Sequence, residues 1–282
     1  MPLKRSAADD LSIIRRHLRP AFGKLQMRAI NVEHVDAFSV TRRQLSPKTV
    51  HNLFTLLSSM LRYVVDLRWL DRAPKIRKPR VRVFERDFRY LRDDQQVQRF
   101  LRAARDDGQE TSTLYATALL TGMRQGELAA LRWDDVRFAL RRIVVQRSFD
   151  GPTKGGDVRY VPLMNELYDV LQPWREVAVG PLVFPNRAGK MHQPCARIFA
   201  ERLHRVLDAA GFERPTAGRH RHVLNFHSLR HTFASHWMMR GGDLFKLQRI
   251  LGHKDVKMTH RYAHLAPHAF AEDMGRMAGL VA

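Results

Sequence analysis

The sequence is poor in three things. Cysteine occurs once in 282 residues, as Cys195. That excludes an internal disulfide framework and fits a reducing compartment. A small, half-buried helix residue explains Cys195 more simply than a nucleophile does. Long apolar runs are missing as well. No stretch approaches the ~20 residues that a membrane span needs, and the opening Met1-Pro2-Leu3-Lys4-Arg5-Ser6 lacks the apolar core of a secretory signal. A cytoplasmic protein with no membrane partner is expected. Acidic residues are scarce, with 28 Asp and Glu against 49 Lys and Arg, a formal net charge of +21 and a pI near 11.1. Such an excess points to a polyanion partner, nucleic acid before a membrane surface. Neither an internal repeat nor a low-complexity tract is visible. Hydrophobic residues make up 44% of the chain, which is long enough for two packed domains.

The first part reads as helices. Leu11, Ile14 and Leu18 share one face of a short first helix, Pro20 and Gly23 break it, and Val32 to about Arg43 form a second. Ser46-Pro47 is an N-cap followed by a proline at the first helical position. Behind it Val50, Leu53, Leu57, Leu61, Val64 and Leu67 keep helical period to about Leu70. Residues 1–90 carry 20 Lys and Arg against 8 Asp and Glu, a denser excess than the 29 against 20 of the remainder. The smaller part is therefore expected to touch DNA. Its end, from Asp71 through Pro74, Lys75, Ile76, Arg77, Lys78 and Pro79, reads as an extended basic linker lying along a phosphate backbone. Lys75, Arg77 and Lys78 are its candidate DNA contacts.

From about Leu91 the pattern changes. Asp93 or Asp94 caps a helix to about Arg105, Thr111 to Thr121 is an apolar helix ending at Gly122, and Arg124 to Leu131 is another. Arg141 to Gln146 and Val158 to Pro162 read as hairpin partners across a Gly155-Gly156 turn, and Leu182 to Phe184 as a third short strand. Helices resume over Gln193–Ala210, Ser228–Arg240, Asp243–Leu251, Val256–Tyr262 and Pro267–Met277. The fold class is mainly α with a small β-sheet, divided as 1–72, a linker over 73–90, and 91–282.

Several stretches carry chemistry. In Asn225-Phe226-His227-Ser228-Leu229-Arg230-His231-Thr232, a helix puts His227 and Arg230 on one face at i, i+3. Thr121-Gly122-Met123-Arg124-Gln125-Gly126-Glu127-Leu128 places an arginine after a glycine turn at a helix start, with Glu127 one turn on to hold it. Thr153-Lys154-Gly155-Gly156 puts a lysine on a hairpin tip. Downstream lie Leu251-Gly252-His253 and His260-Arg261-Tyr262-Ala263-His264. Two arginines, a lysine, two histidines and a tyrosine suit a phosphodiester without metal: arginines for charge, lysine and histidine for protons, tyrosine as nucleophile.

These motifs, in this order, resemble those of the tyrosine recombinases, the phage-integrase type of site-specific DNA recombinase. The match runs from about residue 6 to about 270: T-G-x-R-x-x-E-L, the T-K hairpin, H-x-L-R-H-T-F-A, L-G-H, and R-Y-x-H. The resemblance implies a helical core-binding domain over 1–72 and a mixed catalytic domain over 91–282, closing as a C-clamp around DNA. It implies that Arg124 and Arg230 clamp the phosphate, with Glu127 the acidic residue after the first arginine. Lys154 would be the hairpin lysine that protonates the leaving 5′-oxygen, and His227 and His253 the active-site imidazoles, the first helping to take the tyrosine proton and the second donating to a phosphate oxygen. Tyr262 would be the nucleophile, forming a 3′-phosphotyrosine. No cofactor or metal is implied. The partners implied are double-stranded DNA and, on two duplexes, a homo-tetramer built from a free monomer or dimer. The short first helix leaves no room for an arm-site-binding domain, so a simple recombinase is expected.

Competing readings remain beside this one. The His227/His231 and His260/His264 pairs have a spacing that suits zinc, but no glutamate lies between them as in H-E-x-x-H and no cysteine cluster helps; helix-face or DNA-contacting histidines are the expectation. Trp69, Trp133, Trp174 and Trp237 read as core or domain-edge residues, and Arg219-His220-Arg221-His222 as a solvated loop. Phe270, Met274 and Met277 form a narrow apolar stripe that packs either on its own domain or on a neighbouring protomer. A type IB topoisomerase-like enzyme and a vestigial DNA-binding regulator are the alternatives to a recombinase.

Overall fold

The structure is a computed structural model that describes residues 7–79, 89–149, 151–153, 156–193, 198–213 and 224–267. Lys154, Gly155, Cys195, the linker from Arg80 to Phe88, the Arg219–His222 run and the last helix read beyond Pro267 lie outside them. The chain divides into two compact units, Met1–Phe84 and Glu85–Ala282, each with its own apolar core.

The first unit is helical: α1 (Ala7–Ile13), α2 (Arg19–Phe22), α3 (Val32–Val40) and α4 (Pro47–Asp66). Pro20 does not break the first helix, contrary to expectation. A π-helical turn over Ile14–Leu18 joins α1 to α2, and its wider i→i+5 spacing accommodates a residue with no N–H to donate. Leu18 is buried whereas Leu11 is exposed, so the expected single stripe does not run the whole length. The helix α4 follows its sequence signals. The Ser46 side chain accepts from the Thr49 N–H, and Pro47 stands at the first helical position. Val50, Leu53, Phe54, Leu57, Leu61 and Val64 are buried. Each such side chain contributes about 1.5–3 kcal/mol against about 1 kcal/mol for the cap, so burial governs this helix. Leu67, expected in the same stripe, is the C-cap residue and is 39% exposed. Trp69 is 61% exposed, and Lys75, Arg77 and Lys78 are exposed.

The second unit opens with α5 (Asp94–Asp106), capped by the Asp93 side chain, and α6 (Gln109–Thr121), buried on nearly all sides. After α7 (Gln125–Ala129) come β1 (Val136–Arg137), β2 (Arg142–Val145), β3 (Arg147–Ser148), β4 (Gly151–Pro152) and β5 (Arg159–Pro162). An antiparallel sheet in the order β1-β2-β5 pairs Val145 with Arg159 and Ile143 with Val161. A second ladder, β3 with β4, lies within the hairpin that had been read as a single turn. Ile143, Val145 and Val161 are buried on one face, and Arg159 shares that face.

Two expectations fail here. Leu182–Phe184 makes only an isolated bridge, Leu182 with Arg132, because prolines at 181 and 185 flank it and cannot donate to a ladder. And α8 (Asn165–Val177) was not foreseen, because Pro173 lies inside it; Leu167 and Leu171 are fully buried and hold it in place.

The remaining helices are α9 (Ile198–Ala209), α10 (Phe226–Met239), α11 (Leu244–Leu251) and α12 (Lys257–His260), followed by a 3-10 turn over Ala263–Leu265. The helix α10 begins at Phe226, before the expected Ser228, and Asn225 caps it. The Asn225 side chain accepts from the Ser228 N–H at 3.2 Å, and the Ser228 hydroxyl accepts from the Asn225 N–H at 3.1 Å. Trp133 is buried, and Trp174 and Trp237 are half-buried. Among the described residues no helix is long and apolar enough to cross a membrane.

Candidate active site

Two glycine turns aim the site. Gly122 ends α6 at φ +61 and Gly252 ends α11 at φ +64, a left-handed backbone that side chains disfavour. A Cβ at Gly122 would lie 2.6 Å from Phe233, and one at Gly252 would lie 2.8 Å from Arg159. Both turns expose carbonyls that Arg230 collects. Its guanidinium donates from Nη1 to the Gly122 carbonyl and from Nη2 to the Leu251 carbonyl, each at 2.7 Å. Arg230 is therefore buried from the middle of α10 and ties two helix ends together. Burial, then the charge of Arg124, pulls its pKa down to about 9, still well above neutral pH.

Arg124 precedes α7. Its backbone N–H donates to Glu127 Oε2 at 2.7 Å and its Nη1 to Oε1 at 2.9 Å. That N–H is thus engaged internally, and the anion-binding power of this turn lies in the guanidinium. Glu127 is 1% exposed. It also accepts from Arg159 Nη1 at 2.9 Å and Nη2 at 2.7 Å, while Arg159 Nε donates to the Ile250 carbonyl at 2.7 Å. Burial would raise the Glu127 pKa, but the hydrogen bonds and charges of Arg159 and Arg124 outweigh it and hold the carboxyl below its usual range. One carboxylate thus orients two guanidinium groups.

His227 lies one turn before Arg230, His253 follows the Gly252 turn, and Tyr262 follows α12. The Nδ1 of His253 lies 2.8 Å from the Thr259 hydroxyl. Tyr262 is 2% exposed, and its hydroxyl lies 2.6 Å from Nδ1 of His231. The rings of His227 and His231 meet edge to face, with centroids 4.7 Å apart. Desolvation and the surrounding guanidinium groups hold all three imidazoles neutral, at about 4 for His227 and about 3 for His231 and His253. Burial pushes the Tyr262 phenol up to about 12.

Arg124, Arg230, His227, His253 and Tyr262 line one cavity of about 820 Å³. Glu127 stands behind it. Lys154 lies outside the described residues; Thr153, just before it, lines the cavity and donates its hydroxyl to the Asp157 carbonyl at 2.9 Å. Lys75, Arg77 and Lys78 belong to the first unit. Two cavity residues were not foreseen as part of the site. Arg159 was legible as an arginine on the inward register of a strand, and His231 as the residue one turn beyond His227.

The geometry is a polycationic pocket around a buried phenol. Residues 90–268 match the model of the phage integrase family. The chain belongs to the phage integrase family. It is 33% identical over 226 residues to the integrase of Escherichia phage 186, covering 80% of this chain and 59% of that protein. It is 29% identical over 232 residues to tyrosine recombinase XerC of Xanthomonas campestris, covering 79% of this chain and 66% of that one. The chain thus spans about three-fifths to two-thirds of the length of these family members. Among solved structures, the Tn1549 transposon integrase bound to circular-intermediate DNA superposes with a TM-score of 0.78 at 19% identity, covering 98% of this chain and 95% of the other. That likeness carries the family fold, mainly α with small sheets.

Proposed function

We propose that this chain is a site-specific DNA recombinase that cuts and rejoins duplex DNA through a 3′-phosphotyrosine on Tyr262. The observation that carries the reading is the convergence of Arg124, Arg230, His227, His253 and Tyr262, from four separate segments, on one basic cavity. Two guanidinium groups there match the charge that grows on the equatorial oxygens of a phosphodiester under attack. His253 donates to one of those oxygens. Lys154 supplies the proton that the leaving 5′-oxygen needs, and Glu127 keeps Arg124 in place. The phosphotyrosine conserves the energy of the broken bond, so rejoining requires no cofactor. The printed names of the family members, integrase and tyrosine recombinase, point the same way.

In this reading residues 1–72 form the core-binding domain, 73–90 the linker, and Lys75, Arg77 and Lys78 contact the phosphate backbone. The protein clamps duplex DNA in the cytoplasm and assembles as a tetramer on two duplexes. The test uses two plasmids that each carry the DNA flanking the gene. Purified protein should join them into a cointegrate. Relaxation of supercoiled plasmid without exchange would assign a topoisomerase instead, and binding without cleavage would assign a regulator.

A further inference from the structure

The phenol of Tyr262 must lose a proton when its oxygen attacks phosphorus, and the structure limits where that proton can go. Tyr262 is 2% exposed, so little of its surface meets bulk water. Among the described residues, the charged and titratable groups that share its cavity include His227, whose ring meets that of His231 edge to face. Arg230 and Arg261 are cations with no lone pair to offer. Glu127 is saturated by Arg124 and Arg159. His253 directs Nδ1 to Thr259. His231 Nδ1 lies 2.6 Å from the phenol oxygen, at the short end of hydrogen-bond range.

We propose that His231 is a catalytic residue of this chain: its Nδ1 accepts the phenolic proton of Tyr262 during strand cleavage and returns it during rejoining. The inference rests on Tyr262 being the nucleophile. In cleavage the Tyr262 oxygen forms a bond to phosphorus, the bond from phosphorus to the 5′-oxygen breaks, and the phenol proton moves to His231. The 5′-oxygen takes its proton from another donor, Lys154. In rejoining, the incoming 5′-hydroxyl forms a bond to phosphorus and gives its proton back to Lys154, while the bond from phosphorus to the Tyr262 oxygen breaks and His231 protonates that oxygen. The neutral state this requires is the one the surroundings enforce: burial, His227, Arg261 and Arg230 all disfavour a charged ring. The approach of a phosphate anion offsets those cations, so the ring becomes more basic at the moment the proton must move. The part given to His227 in reading the sequence, helping to take this proton, becomes a supporting one, its ring packed on that of His231.

The test measures single-turnover adduct formation on a nicked duplex of the crossover DNA, with two variants and one altered phenol. His231→Asn keeps a hydrogen-bonding atom near the Nδ1 position without its basicity, and His231→Ala removes it. Both should bind DNA as the parent protein does and form adduct ~10²–10³-fold more slowly at pH 7, within the range of general base catalysis. Their rates should climb with pH, because phenolate must then form unaided. Replacing Tyr262 by 3,5-difluorotyrosine, whose phenol ionises near neutral pH, should restore both variants to within about tenfold of the parent. A His231→Asn protein as fast as the parent would reduce His231 to a structural contact, and slow variants that difluorotyrosine does not rescue would overturn the base role. The reading of Tyr262 is judged separately, by whether Tyr262→Phe in an otherwise unaltered chain forms any adduct.

Discussion

Arg159 and Glu127 face each other fork to fork inside the second unit, Nη1 to Oε1 at 2.9 Å and Nη2 to Oε2 at 2.7 Å, and Glu127 passes the same carboxylate on to Arg124. Breaking a buried pair from one side strands the other charge, which costs about 3–5 kcal/mol. Arg159→Met should therefore lower stability by about that amount in urea titrations. Adding Glu127→Leu should recover part of the loss, because the buried carboxylate is gone and the Arg124 guanidinium it leaves is 27% exposed. An Arg159→Met protein within about 1 kcal/mol of the parent would show the pair to be dispensable.

Acid should destabilise the second unit well before its carboxylates titrate. His231 and His253 are held at about 3 and His227 at about 4, whereas an unfolded imidazole titrates near 6.5. As pH falls below 6.5 the unfolded chain takes up protons that the folded chain refuses, so stability present at neutral pH is lost. The slope approaches about 1.4 kcal/mol per pH unit for each shielded ring and is smaller for the more exposed His227. Urea midpoints at pH 7.5 and pH 5 measure it, and His231→Asn or His253→Asn should flatten the curve. Equal midpoints at the two pH values would mean that the rings are not shielded.

Binding of duplex DNA should weaken steeply with salt, since the chain carries a net charge of +21 and each neutralised phosphate adds about one unit to the log–log slope. Reversing the charge at Lys75, Arg77 and Lys78 together should remove about two to three units of that slope while leaving the cavity chemistry intact. Affinity indifferent to salt would contradict the electrostatic clamp, and an unchanged slope in the triple variant would move the phosphate contacts elsewhere.

Local rules carried much of the fold. Ser46-Pro47 and Asp93 announce their helices through cap chemistry that needs no tertiary context. What escaped was set by context. Pro20 looks like a breaker until a π-helical turn accommodates it, and α8 hides behind Pro173 because only the core beneath Leu167 and Leu171 holds it. The candidate site divides in the same way. Arg124, Arg230, His227, His253 and Tyr262 stand in recognisable motifs. Arg159 and His231 act through partners distant in sequence, Glu127 32 positions away and Tyr262 31 positions away, and such pairings appear only once the chain is folded.

The central claim is a covalent bond from one tyrosine to DNA, and peptide mapping of the adduct tests it most directly. The protein is incubated with the nicked crossover duplex, denatured and digested, and the nucleotide-bearing peptide is sequenced by mass spectrometry. The account predicts a single modified residue, Tyr262, joined to a 3′-phosphate, and no adduct with Tyr262→Phe although that variant still binds the duplex. A nucleotide on any other residue, or an adduct that survives Tyr262→Phe, would contradict it.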